Sequence, residues 1–287
     1  MNKEVMPNKE KILLFIPMYN CEKQIVRVLD QIDSDFQGMI EEVLIVNNRS
    51  TDNGEEVVLQ YLNSTNKQVK MCLLRNNENY GLGGSHKVAF SYAIENNFDY
   101  VIVLHGDDQG NIKDLLPLLN NNVHKKFDCL LGARFQKGSK LQGYSWFRTS
   151  GNLVYNLLFS IVAGRKIYDL GSGLNCYKVS ILRDRFYQKF PDDLTFNYCM
   201  ILASIYKAHL IRFFPISWRE EDQISNVKLF SQAWKVLKLL FGYARDRKGF
   251  LTKEHRTRII AHYSGDIVAK HEVPTYNEEK NELIKSV

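Results

Sequence analysis

The sequence predicts an α/β protein built on a mostly parallel, doubly wound sheet, with helices on both faces and an amphipathic helix near the C-terminus. Three observations carry this. Short apolar runs without polar alternation recur at 11–16 (KILLFI), 43–47 (VLIVN), 69–74 (VKMCLL), 100–104 (YVIVL) and 128–132 (DCLLG). Helix-period patterns separate them at 22–35, 54–63, 83–96 and 112–120. Strands that are apolar on both sides are covered on both faces, and a helix between successive strands is the crossover that parallel pairing requires. Finally, no Pro/Gly/Ser-rich linker interrupts the central stretch, so 11–245 reads as one domain. Residues 1–10 read as a polar N-terminal extension and 246–287 as a basic, then polar, C-terminal tail. Beyond 135, a long helix is expected over 146–163, a turn-rich segment at 168–177, a strand-like run at 210–218 and a helix over 228–243.

Of 287 residues, 45% are hydrophobic and 24% charged, which excludes a disordered or fibrous chain. A net charge of +6 is too modest to argue for a nucleic-acid partner, and none is expected. The five cysteines, at 21, 72, 129, 176 and 199, are odd in number and form no C-x-x-C pair. With a polar start that lacks a signal-peptide pattern, they read as reduced thiols in a cytoplasmic protein. The apolar stretch 153–163 is interrupted by Asn156 and Ser160 and falls short of the roughly 20 residues that a membrane span needs. Any membrane contact is therefore expected to be peripheral, at the inner face.

In an open parallel sheet, ligands bind beyond the carboxyl ends of the strands. Four such ends are polar here: 17–20 (PMYN), 47–52 (NNRSTD), 75–79 (RNNEN) and 105–109 (HGDDQ). Loops are polar in any protein, but amides and carboxylates converging from four strands suit hydrogen bonding and metal ligation. The sharpest signal is an apolar strand running straight into Asp107 and Asp108. Adjacent carboxylates are costly unless solvated or met by a cation. With phosphate oxygens they suit a hard cation, Mg²⁺ or Mn²⁺. The competing reading is a surface turn whose acids cap the next helix. Gly81-Leu82-Gly83-Gly84-Ser85 opens a helix whose start could hold a phosphate, and Lys87 would reach one unless it is simply solvated. The stretch is not G-x-G-x-x-G, does not follow the first strand, and no Walker A sequence is present, so a dinucleotide-binding dehydrogenase is disfavoured. A nucleotidyltransferase would want a glycine-rich, lysine-bearing loop where Pro17-Met18-Tyr19-Asn20-Cys21 stands.

Seven motifs then occur in order: IPMYNCEKQI (16–25), IVNNRSTDN (45–53), NYGLGGSHKVAFSYA (79–93), VIVLHGDDQGNIKDL (101–115), LLGARF (130–135), DLGSGLNCY (169–177) and PISWREEDQISNVK (215–228). Together they resemble family 2 glycosyltransferases of the GT-A fold, especially the branch of dolichol- and polyprenyl-phosphate sugar synthases, over residues 10–245. The resemblance implies an inverting glycosyltransferase with a divalent metal, a nucleotide-sugar donor and a lipid-phosphate or glycan acceptor, working in cell-envelope and polysaccharide synthesis. It places Pro17, Tyr19, Asn20 and Glu22 in the nucleotide pocket, with Ser50 beside them. Asn48 stands where the family has an aspartate contacting the base. Asp107 matches the metal-binding second Asp of the D-x-D motif, and Gln109 the glutamine that follows it. Arg134 and Arg148 match arginines that hold phosphate, and 219–228 matches a loop that closes over the donor. Two departures stand out. His105 replaces the first Asp of the motif, so the metal would lean on Asp107 and Gln109. Asn47 and Asn48 replace an Asp pair. An asparagine offers a donor and an acceptor to O4 and N3–H of uracil, whereas guanine's adjacent N–H groups prefer a carboxylate. A UDP-sugar is therefore expected over a GDP-sugar.

The acceptor decides whether a base is needed. A lipid phosphate is already anionic, whereas a sugar hydroxyl must lose a proton; Asp222, in Glu220-Glu221-Asp222, is the first candidate for that task. The 228–243 helix would carry Phe230, Ala233, Trp234, Leu237, Leu240 and Phe241 as an apolar stripe, flanked by Lys228, Lys235 and Lys238. Such a helix fits an anionic membrane surface and equally a core of its own. The segment 245–258, with six Lys and Arg against Asp246 and Glu254, tips the reading toward a membrane-surface enzyme with a polyprenyl-phosphate-type acceptor. The alternatives are a glycosyltransferase extending a polysaccharide at a sugar hydroxyl, and a non-catalytic nucleotide-sugar-binding protein, which His105 keeps open.

Overall fold

The computed structural model describes residues 9–221 and 229–273. Strand β1 (Ile12–Met18) is buried throughout, because Leu13 and Phe15 face one side of the sheet and Ile12, Leu14 and Ile16 the other. There follow α1 (Ile25–Asp30), α2 (Ser34–Gln37), β2 (Glu42–Asn47), α3 (Gly54–Ser64), β3 (Lys70–Asn76), α4 (Gly81–Glu95) and β4 (Tyr100–Leu104). These four strands are parallel, in the spatial order β3-β2-β1-β4. The order reverses at β1, so a crevice opens beyond the carboxyl ends of β1 and β4.

The second half adds α5 (Leu116–Asn120), β5 (Cys129–Ala133), β6 (Lys140–Gln142), α6 (Trp146–Ala163), β7 (Leu174–Lys178), α7 (Phe196–Tyr206), β8 (Ile211–Pro215), β9 (Ser217–Arg219), α8 (Leu229–Arg245), α9 (Arg247–Thr252) and β10 (Gly265–His271). The eight-stranded sheet runs β10-β3-β2-β1-β4-β7-β5-β8, while β6 and β9 form a separate ribbon. One apolar cluster, under α4, α6, α7 and α8, covers one face of the sheet, and a second, under α1, α2, α3 and α5, covers the other.

The expected strands are all present, and α6 has the bounds read from the sequence. Three expectations need correction. Within the turn-rich 168–177, β7 (LNCYK) lies antiparallel between β4 and β5, at the centre of the sheet. Residues 246–273 are not a tail: α9 presses Phe250 into the core, and β10 runs antiparallel along the β3 edge, where one solvated face tolerates Asp266 and Lys270. The rest of the expected tail, 274–287, lies outside the described residues. On α8 the buried stripe is Val236, Leu239, Leu240 and Tyr243, whereas Trp234, Leu237 and Phe241 point outward. Of the apolar stripe read from the sequence, Trp234, Leu237 and Phe241 thus lie on the outer side of the helix and Leu240 on the inner, while the side chain of Phe230 lies outside the described residues.

The start of α4 touches the loop before α7. The Gly83 N–H donates to the Asp192 carbonyl (2.7 Å), and a Cβ on Gly83 would stand 2.4 Å from the Pro191 carbonyl oxygen. Backbone meets backbone there, so no flexible side chain can yield. Gly151, inside α6, has nothing within 4 Å of such a Cβ. Gly83→Ala is expected to cost about 2 kcal/mol or more of stability, and Gly151→Ala to add up to about 1 kcal/mol. Thermal melts should move in opposite directions for the two variants.

Candidate active site

The loops after β1 and β2 are stitched together by their own polar side chains. The Asn20 N–H donates to Ser50 Oγ (3.1 Å), and Asn20 Oδ1 accepts from the Thr51 N–H (2.8 Å). The Glu22 N–H donates to Asp52 Oδ2 (2.9 Å), and Glu22 Oε2 accepts from the Asn53 N–H (3.1 Å). Asn20 and Arg49 both hold positive φ, the cost of turning so sharply at a strand end. Asn20, Glu22 and Ser50, expected to touch the nucleotide, thus hold two loops in register and do not line the cavity beside them.

That cavity, of about 360 Å³, lies at the reversal point of the strand order. Its walls come from Pro17, Met18, Tyr19 and Cys21 after β1, Asn48 after β2, Asn79 after β3, the start of α4 (Gly81, Leu82, Ser85), His105, Gly106 and Asp107 after β4, and Asp193 and Leu194 before α7. Among the described residues, no lysine or arginine lines it.

Asp107 and Asp108 part ways. Asp108, with φ of 59°, is fully buried and turned from the cavity. Its carboxylate accepts from Arg27 Nε (2.6 Å), Gln31 Nε2 (2.9 Å) and Arg219 Nη2, and Arg219 Nε donates to its carbonyl (2.9 Å). The expectation that both acids enter the crevice therefore holds for Asp107 alone. Burial pushes the Asp107 carboxyl up to about 6; the Gln109 N–H and its own N–H pull it partly back, and the charge of Asp108 adds to the rise. His105 shares the cavity wall, and burial, with the nearby charge of Arg134, pushes its imidazole down to about 4, so it is neutral at physiological pH.

Asn48 is buried and its amide is oriented without ambiguity. Its Oδ1 accepts from the Tyr80 N–H (2.8 Å), which only an oxygen can do, and from Asn76 Nδ2 (2.9 Å); its Nδ2 donates to Asn79 Oδ1 (2.8 Å). Both carbonyl lone pairs are taken, so the expected donor-and-acceptor pairing is corrected: Asn48 has one N–H left to offer and no free acceptor. Asn79 Oδ1 also accepts from the Gly81 N–H (3.1 Å), which leaves the Asn79 amide as a second N–H donor on this wall.

The cations stand behind the wall. Arg134 is held by Asp169, with Nε to Oδ2 at 2.7 Å and Nη2 to Oδ1 at 2.8 Å, and lies over the Trp218 ring. Arg148, on α6, donates from Nη1 to both Glu220 oxygens (2.8 and 2.6 Å). Gln109, expected on the metal, turns its amide to Glu220 (3.4 Å) and reaches Asp107 only through its backbone N–H (3.3 Å). Lys87, expected at a phosphate, is corrected outright. It is fully buried, donates to the Phe190 carbonyl (2.6 Å), Asp192 Oδ1 (2.6 Å) and Tyr263 Oη (3.2 Å), and burial pushes it down to about 8. Asp222 and Lys228 lie outside the described residues. Asp193 was missed: the Asp-Asp pair at 192–193 before an apolar helix was its only signal. Asp193 Oδ1 accepts from the Thr195 N–H (2.8 Å), and Oδ2 accepts from Lys235. Burial raises its carboxyl, but these hydrogen bonds outweigh that and leave it below the usual carboxylate value.

Among the described residues, no group of three or more His, Cys, Asp and Glu is placed to hold a metal by itself. Asp107 would be the main protein carboxylate on a hard cation, the rest of the shell coming from ligand oxygens. That division suits Mg²⁺ or Mn²⁺ arriving with a diphosphate.

A cavity edged by carboxylates and amides at the switch point of a mostly parallel sheet stands where α/β folds bind their ligands. The glycosyl transferase family 2 profile matches residues 14–186, and the chain belongs to that family. Its fold is the GT-A fold. An uncharacterized protein of Methanocaldococcus jannaschii, MJ1222, is 22% identical over 170 residues, which are 59% of this chain and 65% of that one. The chain thus spans just under two thirds of that relative. Glucosyl-3-phosphoglycerate synthase from Mycobacterium tuberculosis, solved with UDP, superposes with a TM-score of 0.58 at 14% identity, over 82% of this chain and 80% of that one. S. aureus TarS (residues 1–349) gives 0.53 at 18% identity, over 80% and 64%. At these identities the two structures establish the fold.

Since the folded value for Asp107 lies above 3.8, ionising it opposes folding: the penalty is absent below 3.8, grows up to about 6 and is complete above that. Asp107→Asn is therefore expected to raise the thermal midpoint of the ligand-free protein at neutral pH, with a gain that shrinks as pH falls through 6. Melts of both proteins across that range would expose the opposite trend.

Proposed function

We propose that the protein is an inverting, metal-dependent enzyme of the polyprenyl-phosphate sugar synthase type. It would move a sugar from a UDP-sugar to the phosphate of a membrane lipid, as a peripheral protein at the inner face. One observation carries this reading: Asp107 projects into a cavity that, among the described residues, no lysine or arginine lines, at the switch point of the sheet. A diphosphate entering such a site needs positive charge, and a cation held by Asp107 provides it. When bound, the cation neutralises the departing diphosphate as a Lewis acid. The synthase of M. tuberculosis has been solved with Mn²⁺ and UDP-glucose, and TarS with UDP-GlcNAc, which supports this donor and metal class.

The remaining tasks fall to the chain's own groups. Asn48 and Asn79 offer N–H donors suited to the carbonyls of uracil, and Asn48 stands where a carboxylate would receive the paired N–H groups of guanine. Tyr19, half exposed at the mouth, offers a ring face to the base or ribose. Arg148 can exchange Glu220 for an incoming phosphate. The acceptor reading draws on Asp193: a carboxylate already held by Lys235 and Thr195 is a weak proton acceptor, which favours a nucleophile that is anionic before it arrives. Transfer to a polysaccharide hydroxyl is the second reading, and Asp222 would then be sought as the base.

Calorimetry with Mn²⁺ should find UDP binding at least about tenfold tighter than GDP; the reverse order would end the donor assignment. Transfer of labelled sugar to polyprenyl phosphate should vanish with EDTA and fall about a thousandfold or more in Asp107→Asn. Turnover near the wild-type rate in that variant would remove the metal assignment.

A further inference from the structure

We infer that the outer sides of α6 and α8 form one surface that docks on an anionic lipid bilayer, and that α6 supplies most of it. This deepens the proposed function by naming the element that meets the membrane, but it stands on its own geometry. α6 is amphipathic in an unusual sense. Its inward side carries Asn156, Phe159 and Ala163, and Asn156 Nδ2 donates to the Tyr168 carbonyl (2.7 Å). Its outward side carries Leu153, Val154, Leu157, Leu158 and Ile161, a stripe at helical spacing that is exposed, with Ile161 at 68%. A helix of a water-facing surface would show the opposite pattern. α8 contributes Trp234 and Phe241, 73% and 68% exposed. The two helices press their other sides into one core cluster and lean on each other, so their outward stripes lie side by side. Contiguous apolar surface of this kind marks an interaction site.

Charge decides which partner fits. Neither α6 nor α8 contains a single Asp or Glu along its length. Exposed cations stand at their C-terminal ends: Arg165 and Lys166 after α6, and Arg245, Arg247 and Lys248 around the end of α8, with Lys238 on α8 itself. Trp146, 79% exposed, opens α6. Apolar stripes with tryptophan, helices free of carboxylates and a border in which Asp246 stands against five exposed cations match the headgroup–acyl boundary of an anionic membrane. No described helix is long and apolar enough to cross the membrane, so the contact is in plane. The position of the surface adds a consequence. The first turn of α6 carries Arg148, whose partner Glu220 also receives Gln109 from the loop of Asp107. Docking on α6 would bring the lipid headgroups to an arginine linked through Glu220 to the loop of Asp107.

Flotation with vesicles of phosphatidylglycerol and phosphatidylcholine, against phosphatidylcholine alone, tests this without any turnover. The wild-type protein should float with the anionic vesicles, and high salt should weaken the association. Leu157→Glu/Ile161→Glu should cut partition at least about tenfold while leaving the melting temperature and calorimetric UDP binding unchanged. Loss of UDP binding in the wild-type protein would strike the donor reading and leave this one standing. A wild-type protein that stays at the bottom of the gradient with every vesicle overturns the inference. So does a dimer seen by light scattering that the double variant splits, since the surface would then belong to a second copy of the chain.

Discussion

A buried carboxylate at position 108 organises the functional end of this molecule. Asp108 gives up water entirely, and Arg27, Arg219 and Gln31 enclose its carboxyl group with hydrogen bonds. Those partners come from the first helix and from the strand that follows β8, so one side chain ties both ends of the domain to the loop after β4. The clamp also dictates what its neighbour does. With residue 108 in the left-handed region and its side chain anchored inward, residue 107 is presented to the crevice. The carboxylate that faces the cavity directly precedes, in the chain, one that is fully buried.

Around it the protein keeps its cations engaged elsewhere. Arg134 answers Asp169, Arg148 answers Glu220, and Lys87 answers Asp192 in the core. Burial also strips the charge from the imidazole at 105. The cavity is left acidic on two sides, at Asp107 and Asp193, and amide-rich on a third. Among the described residues, the walls therefore offer an incoming ligand carboxylates and amides and no lysine or arginine.

The legibility of the fold varied with the physics of each element. Strands β1 to β5 announced themselves because both of their faces are covered, which demands uninterrupted apolar residues. β7 is equally central but seats Asn175, satisfied by Ser172, among its buried residues, so the apolar run is broken. β10 lies on an edge and keeps a solvated face, which makes it resemble a polar tail. In the site, Pro17, Tyr19, Asn48 and Asp107 were readable as strand-end residues. Lys87 was not, since its fate depends on Asp192, a residue 105 positions away. Asp193 was hidden for the same reason: it enters the cavity from a loop far along the chain.

Sequence alone determined the doubly wound sheet, the strand ends that line the cavity, and the family, because periodicity and short motifs are local properties. Tertiary structure decided which member of each polar pair faces the cavity, which cations are already engaged, and which side of α6 and α8 is left outside. Those choices depend on partners distant in the chain, and burial assigns a side chain its role only after such partners have met.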